Sequence, residues 1–80
     1  MHTEKGVILM KLRIRDLRED RDLSQRVIAE YLHIHQTTYS DYELERLNIP
    51  AAVLDKLADY YGTSVDYLLG RTSCPAPYPN

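Results

Sequence analysis

The chain has no tryptophan and no phenylalanine, only one cysteine and only three glycines. Its aromatic area therefore comes from seven tyrosines. Each buries a large ring but wants a partner for its hydroxyl, so the expected core is edged by Tyr with hydroxyls reaching the surface. The single thiol, Cys74, cannot form an internal disulfide or a zinc site, and a reducing, cytoplasmic setting fits best. No apolar run approaches the roughly 18 residues that span a bilayer, so no membrane partner is expected. The segment Gly6-Val7-Ile8-Leu9-Met10 is too short for the apolar region of a signal peptide. No glycine-rich phosphate loop is present, and Ser64 has no base motif near it, which argues against an enzyme and against a cofactor. His33 and His35 lack a Cys or carboxylate at ligand spacing, so they read as solvated turn residues and no metal is expected.

What is present is one small domain's worth of chain. Eighty residues with 44% hydrophobic content can fold, though a chain this short needs efficient packing or a second copy. The formal net charge of −2 counts against a nucleic-acid partner. Its distribution softens that objection, because Lys11, Arg13, Arg15, Arg18, Arg21 and Arg26 crowd one stretch while acids dominate afterwards. Binding follows the local field where phosphates dock, not the net charge. The plainer alternative is a solvated first helix with i,i+4 pairs, Arg15–Glu19 and Arg18–Asp22.

The apolar spacing predicts five short helices and an all-α domain over residues 11–71, with an N-terminal extension over residues 1–10 and a Pro-rich tail over 72–80. The first helix is expected from Leu12 to Arg21. Ser24 is a good N-cap for the second, whose buried stripe is Ile28, Ala29 and Leu32. His33-Ile34-His35 is a turn, with Ile34 plugging the crevice between helices. The third helix runs from Gln36 to about Leu44, with Tyr39 and Tyr42 inward and Gln36, Thr37, Ser40 and Asp41 outward. Pro50 suits the first position of a fourth helix. Gly62 stops that helix. Thr63-Ser64-Val65-Asp66 resembles a capping box for a fifth, which Gly70 ends. The tail, with its prolines, is expected to be extended or disordered. Tyr31 and Tyr60 are the tyrosines expected to be most exposed.

The second and third helices with their tight turn have the form of a helix-turn-helix, which places its second helix in the major groove of DNA. Several separated segments agree with a known pattern in order and spacing: Ile14-Arg15-Asp16-Leu17-Arg18, Leu23-Ser24-Gln25, Ile28-Ala29-Glu30-Tyr31-Leu32, Tyr39-Ser40-Asp41-Tyr42-Glu43 and the run from Leu57 to Gly70. On these residues the chain resembles the Cro/phage-repressor-like (XRE-type) helix-turn-helix regulators. The resemblance covers residues 11–71 and implies a compact five-helix, lambda-repressor-like DNA-binding domain.

That resemblance also implies residue roles. Gln25 matches a glutamine that, with its helix N-terminus, holds a DNA phosphate. Gln36 matches a base-reading position, and glutamine can pair bidentately with adenine. Thr37, Ser40 and Asp41 match the other groove-facing positions, and Thr38 one that steadies a backbone contact. Arg26, Arg46 and Asn48 complete the candidate DNA-binding set. Arg18 and Glu43 match a structural ion pair between the first and third helices. Three positions depart from the family pattern. His33 stands where glycine is common, in a turn that often needs positive φ. His35 replaces the usual hydroxyl cap. Asp41 places an acid where bases or amides are usual, which repels phosphate but can accept from cytosine N4.

The leading expectation is a sequence-specific transcriptional regulator, a repressor binding double-stranded DNA as a homodimer, with the third helices in successive major grooves about 34 Å apart. Tyr31, Tyr60, the fifth helix or the tail would supply the dimer contact. The alternative is a protein-interaction module of the same fold, an antitoxin or adaptor, whose acidic second half suits a basic protein partner. Gln25 and Gln36 as ordinary exposed helix-start residues also stays open.

Overall fold

The computed structural model describes residues 11–77. The extension over residues 1–10 and the end of the tail, residues 78–80, lie outside the described residues. Among the described residues five helices follow one another: α1 (Ile14–Asp20), α2 (Gln25–Leu32), α3 (Gln36–Glu43), α4 (Ala51–Tyr61) and α5 (Val65–Leu68). The described chain is all-α, with no strand among the described residues. Ile14, Ile28, Tyr39, Leu57 and Leu68, one side chain from each helix, are the largest that are fully enclosed. Ala29, Leu32, Tyr42, Leu54, Ala58 and Tyr61 complete the buried cluster, and Ile34 packs against it from the turn.

Each of the five described helices ends the same way. A residue just past the last turn adopts a left-handed conformation, and its own amide and the next one fold back onto the helix. The left-handed residues are Asp22, His33, Glu45, Gly62 and Gly70. At α1 the Asp22 amide reaches the Glu19 carbonyl and the Leu23 amide the Arg18 carbonyl, at 3.0 and 3.1 Å. At α3 the Glu45 amide reaches Tyr42 and the Arg46 amide reaches Asp41, at 3.1 and 2.9 Å. Positive φ was foreseeable at His33 and the two glycines. Asp22 and Glu45 carry it without a glycine to advertise it, and for Glu45 the conformation is strained by about 1–2 kcal/mol.

Four local expectations are corrected. First, α1 begins at Ile14, not Leu12, because residues 11–13 run against the end of α5: the Arg13 amide donates to the Leu68 carbonyl at 2.8 Å. Second, Pro50 is the N-cap of α4, not its first residue. Its ψ of 149° is extended, and its carbonyl accepts from the Val53 and Leu54 amides. Third, the cap of α5 is Ser64 alone, whose Oγ accepts from the Tyr67 amide at 3.0 Å. Thr63 instead donates to the Pro75 carbonyl. Fourth, the Arg18–Asp22 pair does not form, because Asp22 lies past the helix end and Arg18 turns inward. Arg15–Glu19 does form, at 3.1 Å, with both side chains largely exposed, and such a pair contributes only a few tenths of a kcal/mol.

Residues 11–13 and the segment after α5 are clasped by a side chain that the sequence marked only as one of a cationic cluster. The Arg13 guanidinium donates to the carbonyls of Tyr67 and Thr72 at 2.7 and 2.8 Å. It also lies over the Tyr67 ring, 4.1 Å from its centre, a favourable stacking of cation on π face. Arg21 does similar work at the end of α4, donating to the Tyr61 carbonyl at 3.2 Å. Helix C-termini attract cations for the same reason that their last carbonyls lack partners.

Candidate nucleic-acid interface

α2 and α3 pack on each other across the turn 33–35 and form the helix-turn-helix. The entry to α2 is well built: Ser24 is extended and its hydroxyl accepts from the Val27 amide at 3.2 Å. The Val27 and Ile28 amides are taken by the Ser24 hydroxyl and carbonyl, and the Gln25 and Arg26 amides, which precede the first bond within the helix, are the ones an anion can use. α3 starts less firmly. His35 has the extended backbone of an N-cap but gives no side-chain bond.

The orientation of α3 is set from its inner face. Tyr39 and Tyr42 are buried. Glu43 is tied to α1 by a two-point contact, Arg18 Nε to Oε2 at 2.7 Å and Arg18 Nη2 to Oε1 at 3.0 Å. The side chains are 12% and 3% exposed, so the pair is almost dry. The same guanidinium donates to the Leu23 carbonyl at 2.8 Å. One arginine therefore joins α1, the entry to α2 and the end of α3. This is the ion pair that the resemblance implied.

Gln25 joins this network. Its Nε2 donates to Glu43 Oε1 at 3.0 Å. A side-chain amide has two N–H donors, so one is spent on Glu43 and the other remains for a ligand at the α2 N-terminus. The contact also holds Gln25 in place. Burial raises the pKa of the Glu43 carboxyl, but the bonds from Arg18 and Gln25 and the nearby Tyr39 hydroxyl outweigh it, leaving the group below the ordinary carboxylate range. Against the expectation of tyrosine hydroxyls reaching the surface, those of Tyr39 and Tyr61 are buried without a well-formed hydrogen bond, because both rings are enclosed between helices; for Tyr39, burial, reinforced by the Glu43 charge, pushes the pKa far up.

The outer face of α3 carries the predicted polar set. Gln36 and Thr37 are exposed, and Thr38, Ser40 and Asp41 are partly so. Arg46 and Asn48 are exposed in the segment that follows, and Arg26 is exposed on α2. Gln25 is half-buried. Arg26 pairs with Glu30 at 3.1 Å and Arg46 with Asp41 at 3.9 Å. These pairs are solvent-facing and easily exchanged.

Half of the cationic stretch, Arg13, Arg18 and Arg21, is committed to backbone carbonyls or to the buried Glu43 carboxylate. Lys11 pairs with Asp16, Arg15 with Glu19 and Arg18 with Glu43. Arg13 and Arg21 bind backbone carbonyls. Arg13, Arg18 and Arg21 are therefore scaffold, whereas Lys11 and Arg15, like Arg26 and Arg46, hold only solvent-facing pairs; of these, Arg26 lies on α2 and Arg46 just past α3. Of the two tyrosines expected to be most exposed, Tyr31 is exposed and Tyr60 is partly buried; their rings meet at a tilt of 52° with centres 4.7 Å apart, and the Tyr31 hydroxyl donates to the Lys56 carbonyl. Among the described residues no group of three or more His, Cys, Asp or Glu can hold a metal ion, and no helix is long and apolar enough to cross a membrane.

Comparison with known proteins agrees with this arrangement. A family model described as Helix-turn-helix matches residues 14–68. The chain is 40% identical over 65 residues to the uncharacterized HTH-type transcriptional regulator YobD of Bacillus subtilis (strain 168), covering 81% of this chain and 58% of that protein. It is 35% identical over 57 residues to the cryptic phage CTXphi transcriptional repressor RstR of Vibrio cholerae, covering 71% and 51%. It is 34% identical over 59 residues to the HTH-type transcriptional regulator ImmR of Bacillus subtilis (strain 168), covering 74% and 46%. The chain thus spans about half the length of these curated relatives. No solved structure is significantly similar to it.

Proposed function

The chain belongs to the helix-turn-helix family of XRE-type, DNA-binding transcriptional regulators, and from that premise we propose that it is a repressor that reads a specific double-stranded DNA sequence in the cytoplasm. In this reading α3 enters the major groove. Gln36, Thr37, Ser40 and Asp41 face base edges. Thr38, Arg26, Arg46 and Asn48 meet the sugar-phosphate backbone, and Gln25 with the first amides of α2 takes one phosphate. The observation that carries the reading is the division of α3. Its inner face is locked by Tyr39, Tyr42 and Glu43, and its outer face is left polar and free.

A single domain of this size buries limited surface on DNA, so two copies on a palindromic operator are needed for useful specificity. A groove of about 490 Å³ beside the end of α3 suits a second copy. Its lining includes Leu12, Leu47, Ile49 and Leu69. The same lining contains one acid, Glu45, and one base, Arg71, which a twofold-related copy meets in reverse order. The test is binding selection from randomised duplexes followed by anisotropy on the enriched site. Gln36→Ala should reduce discrimination against mismatched duplexes about tenfold. Gln25→Ala should weaken all duplexes alike, since phosphate contacts carry no sequence information. Unchanged binding in both variants would overturn the assignment of α2 and α3 as the DNA-contacting unit.

A further inference from the structure

We propose, building on the DNA-reading function above, that Asp41 is a specificity-determining residue that selects cytosine at one position of each half-site, with Arg46 screening its charge. The outer face of α3 offers an amide, two hydroxyls and a carboxylate, and the helix Gln36–Glu43 contains no lysine or arginine. Recognition of guanine by a two-pronged cation therefore has no donor on this helix. Asp41 is the charged group there that is still accessible, with 37% of its side chain exposed against 3% for Glu43.

An ionised carboxylate only accepts hydrogen bonds. In the major groove guanine presents the acceptors N7 and O6, and thymine presents O4 and a methyl group. Both edges repel or fail to satisfy an acid. Cytosine presents the N4 amino group as a donor. Adenine presents a donor beside the N7 acceptor, which leaves it the second choice. A carboxylate on a reading helix thus favours cytosine and rejects guanine.

The acid also repels phosphates, and the end of α3 is built to offset this. The left-handed residue Glu45 turns the chain so that the Arg46 amide donates to the Asp41 carbonyl at 2.9 Å. That places the Arg46 guanidinium 3.9 Å from the Asp41 carboxylate while leaving 71% of its side chain exposed. Arg46 can hold a phosphate and screen Asp41 at once.

The experiment is the same randomised-duplex selection, run with the wild type, Asp41→Asn, Asp41→Ala and Arg46→Ala, with helix content checked by circular dichroism. The wild type should favour cytosine over guanine about tenfold or more at one position per half-site. Asp41→Asn should move that preference to adenine, which an amide reads through N6 and N7. Asp41→Ala should flatten that position and leave the others. Arg46→Ala should keep the cytosine preference, weaken all sequences alike and lower the salt slope by about one. An enriched site that is identical for the wild type and both Asp41 variants would overturn this inference while sparing the DNA-reading function. No enrichment by the wild type at all would overturn both.

Discussion

Replacing Arg18 with alanine should lower the free energy of unfolding by about 3–5 kcal/mol, because it leaves the Glu43 carboxylate buried and unpaired. A small domain has only about 5–15 kcal/mol in total, so the variant should be partly unfolded at 37 °C. Arg18→Met combined with Glu43→Leu should recover much of the loss, since an apolar pair of similar volume avoids the desolvated charges. The pair also has a pH signature. The folded-state pKa of Glu43 lies below its ordinary value, so its stabilisation is complete above the ordinary carboxylate range and is lost as pH falls through the folded value. Urea unfolding at neutral pH and at about pH 3 measures both effects. A loss under about 1 kcal/mol for Arg18→Ala would mean that the pair behaves like a solvated surface contact.

The second large effect belongs to Gly70. It has φ of +76°, and a Cβ built there would collide with the backbone N and O of Lys11 and sit 2.9 Å from its carbonyl carbon. A backbone neighbour cannot rotate away. Gly70→Ala must push residues 11–13 off α5, which disturbs the Arg13 amide bond to Leu68 and the guanidinium clasp on Tyr67 and Thr72. Gly62 is the internal control, with φ of +66° and nothing within 4 Å of its Cβ position. Gly62→Ala should cost about 1–2 kcal/mol from the left-handed conformation alone. Gly70→Ala should cost about 2 kcal/mol more, the typical penalty of forcing atoms into filled space. Equal costs would show that residues 11–13 are not held against the end of α5.

The helices were legible where the apolar spacing was supported by a punctuation residue. Ser24 marks the start of α2, and Gly62 and Gly70 mark the ends of α4 and α5. The outer and inner faces of α3 were legible from Tyr39 and Tyr42 alone. The Arg18–Glu43 pair was not readable from spacing, and only the family resemblance pointed to it across 25 positions. What stayed hidden has one physical cause: partners set by tertiary structure. Arg13 meets Tyr67 and Thr72 at separations of 54 and 59 residues. No local pattern tells such an arginine from one reserved for phosphate. The left-handed ends at Asp22 and Glu45 escaped notice because the usual signal, glycine, is absent. Helix packing on the core imposes that conformation on residues that would not choose it.

Gln25 connects these structural features to the interface. Its amide is held by the same carboxylate that fixes α3 to α1. One carboxylate therefore ties the N-terminus of α2 to the end of α3, the two elements that the proposed function assigns to the DNA backbone and to the bases. Arg18→Ala should consequently loosen DNA contact even where the fold survives.

The most direct test of the central claim is fluorescence anisotropy on two labelled duplexes, the selected site and a scrambled version of it, at two salt concentrations. A sequence-reading helix-turn-helix binds the selected duplex more tightly at both salts, and its affinity falls steeply as salt rises. Equal, weak affinity for the two duplexes would contradict the claim that the outer face of α3 reads DNA.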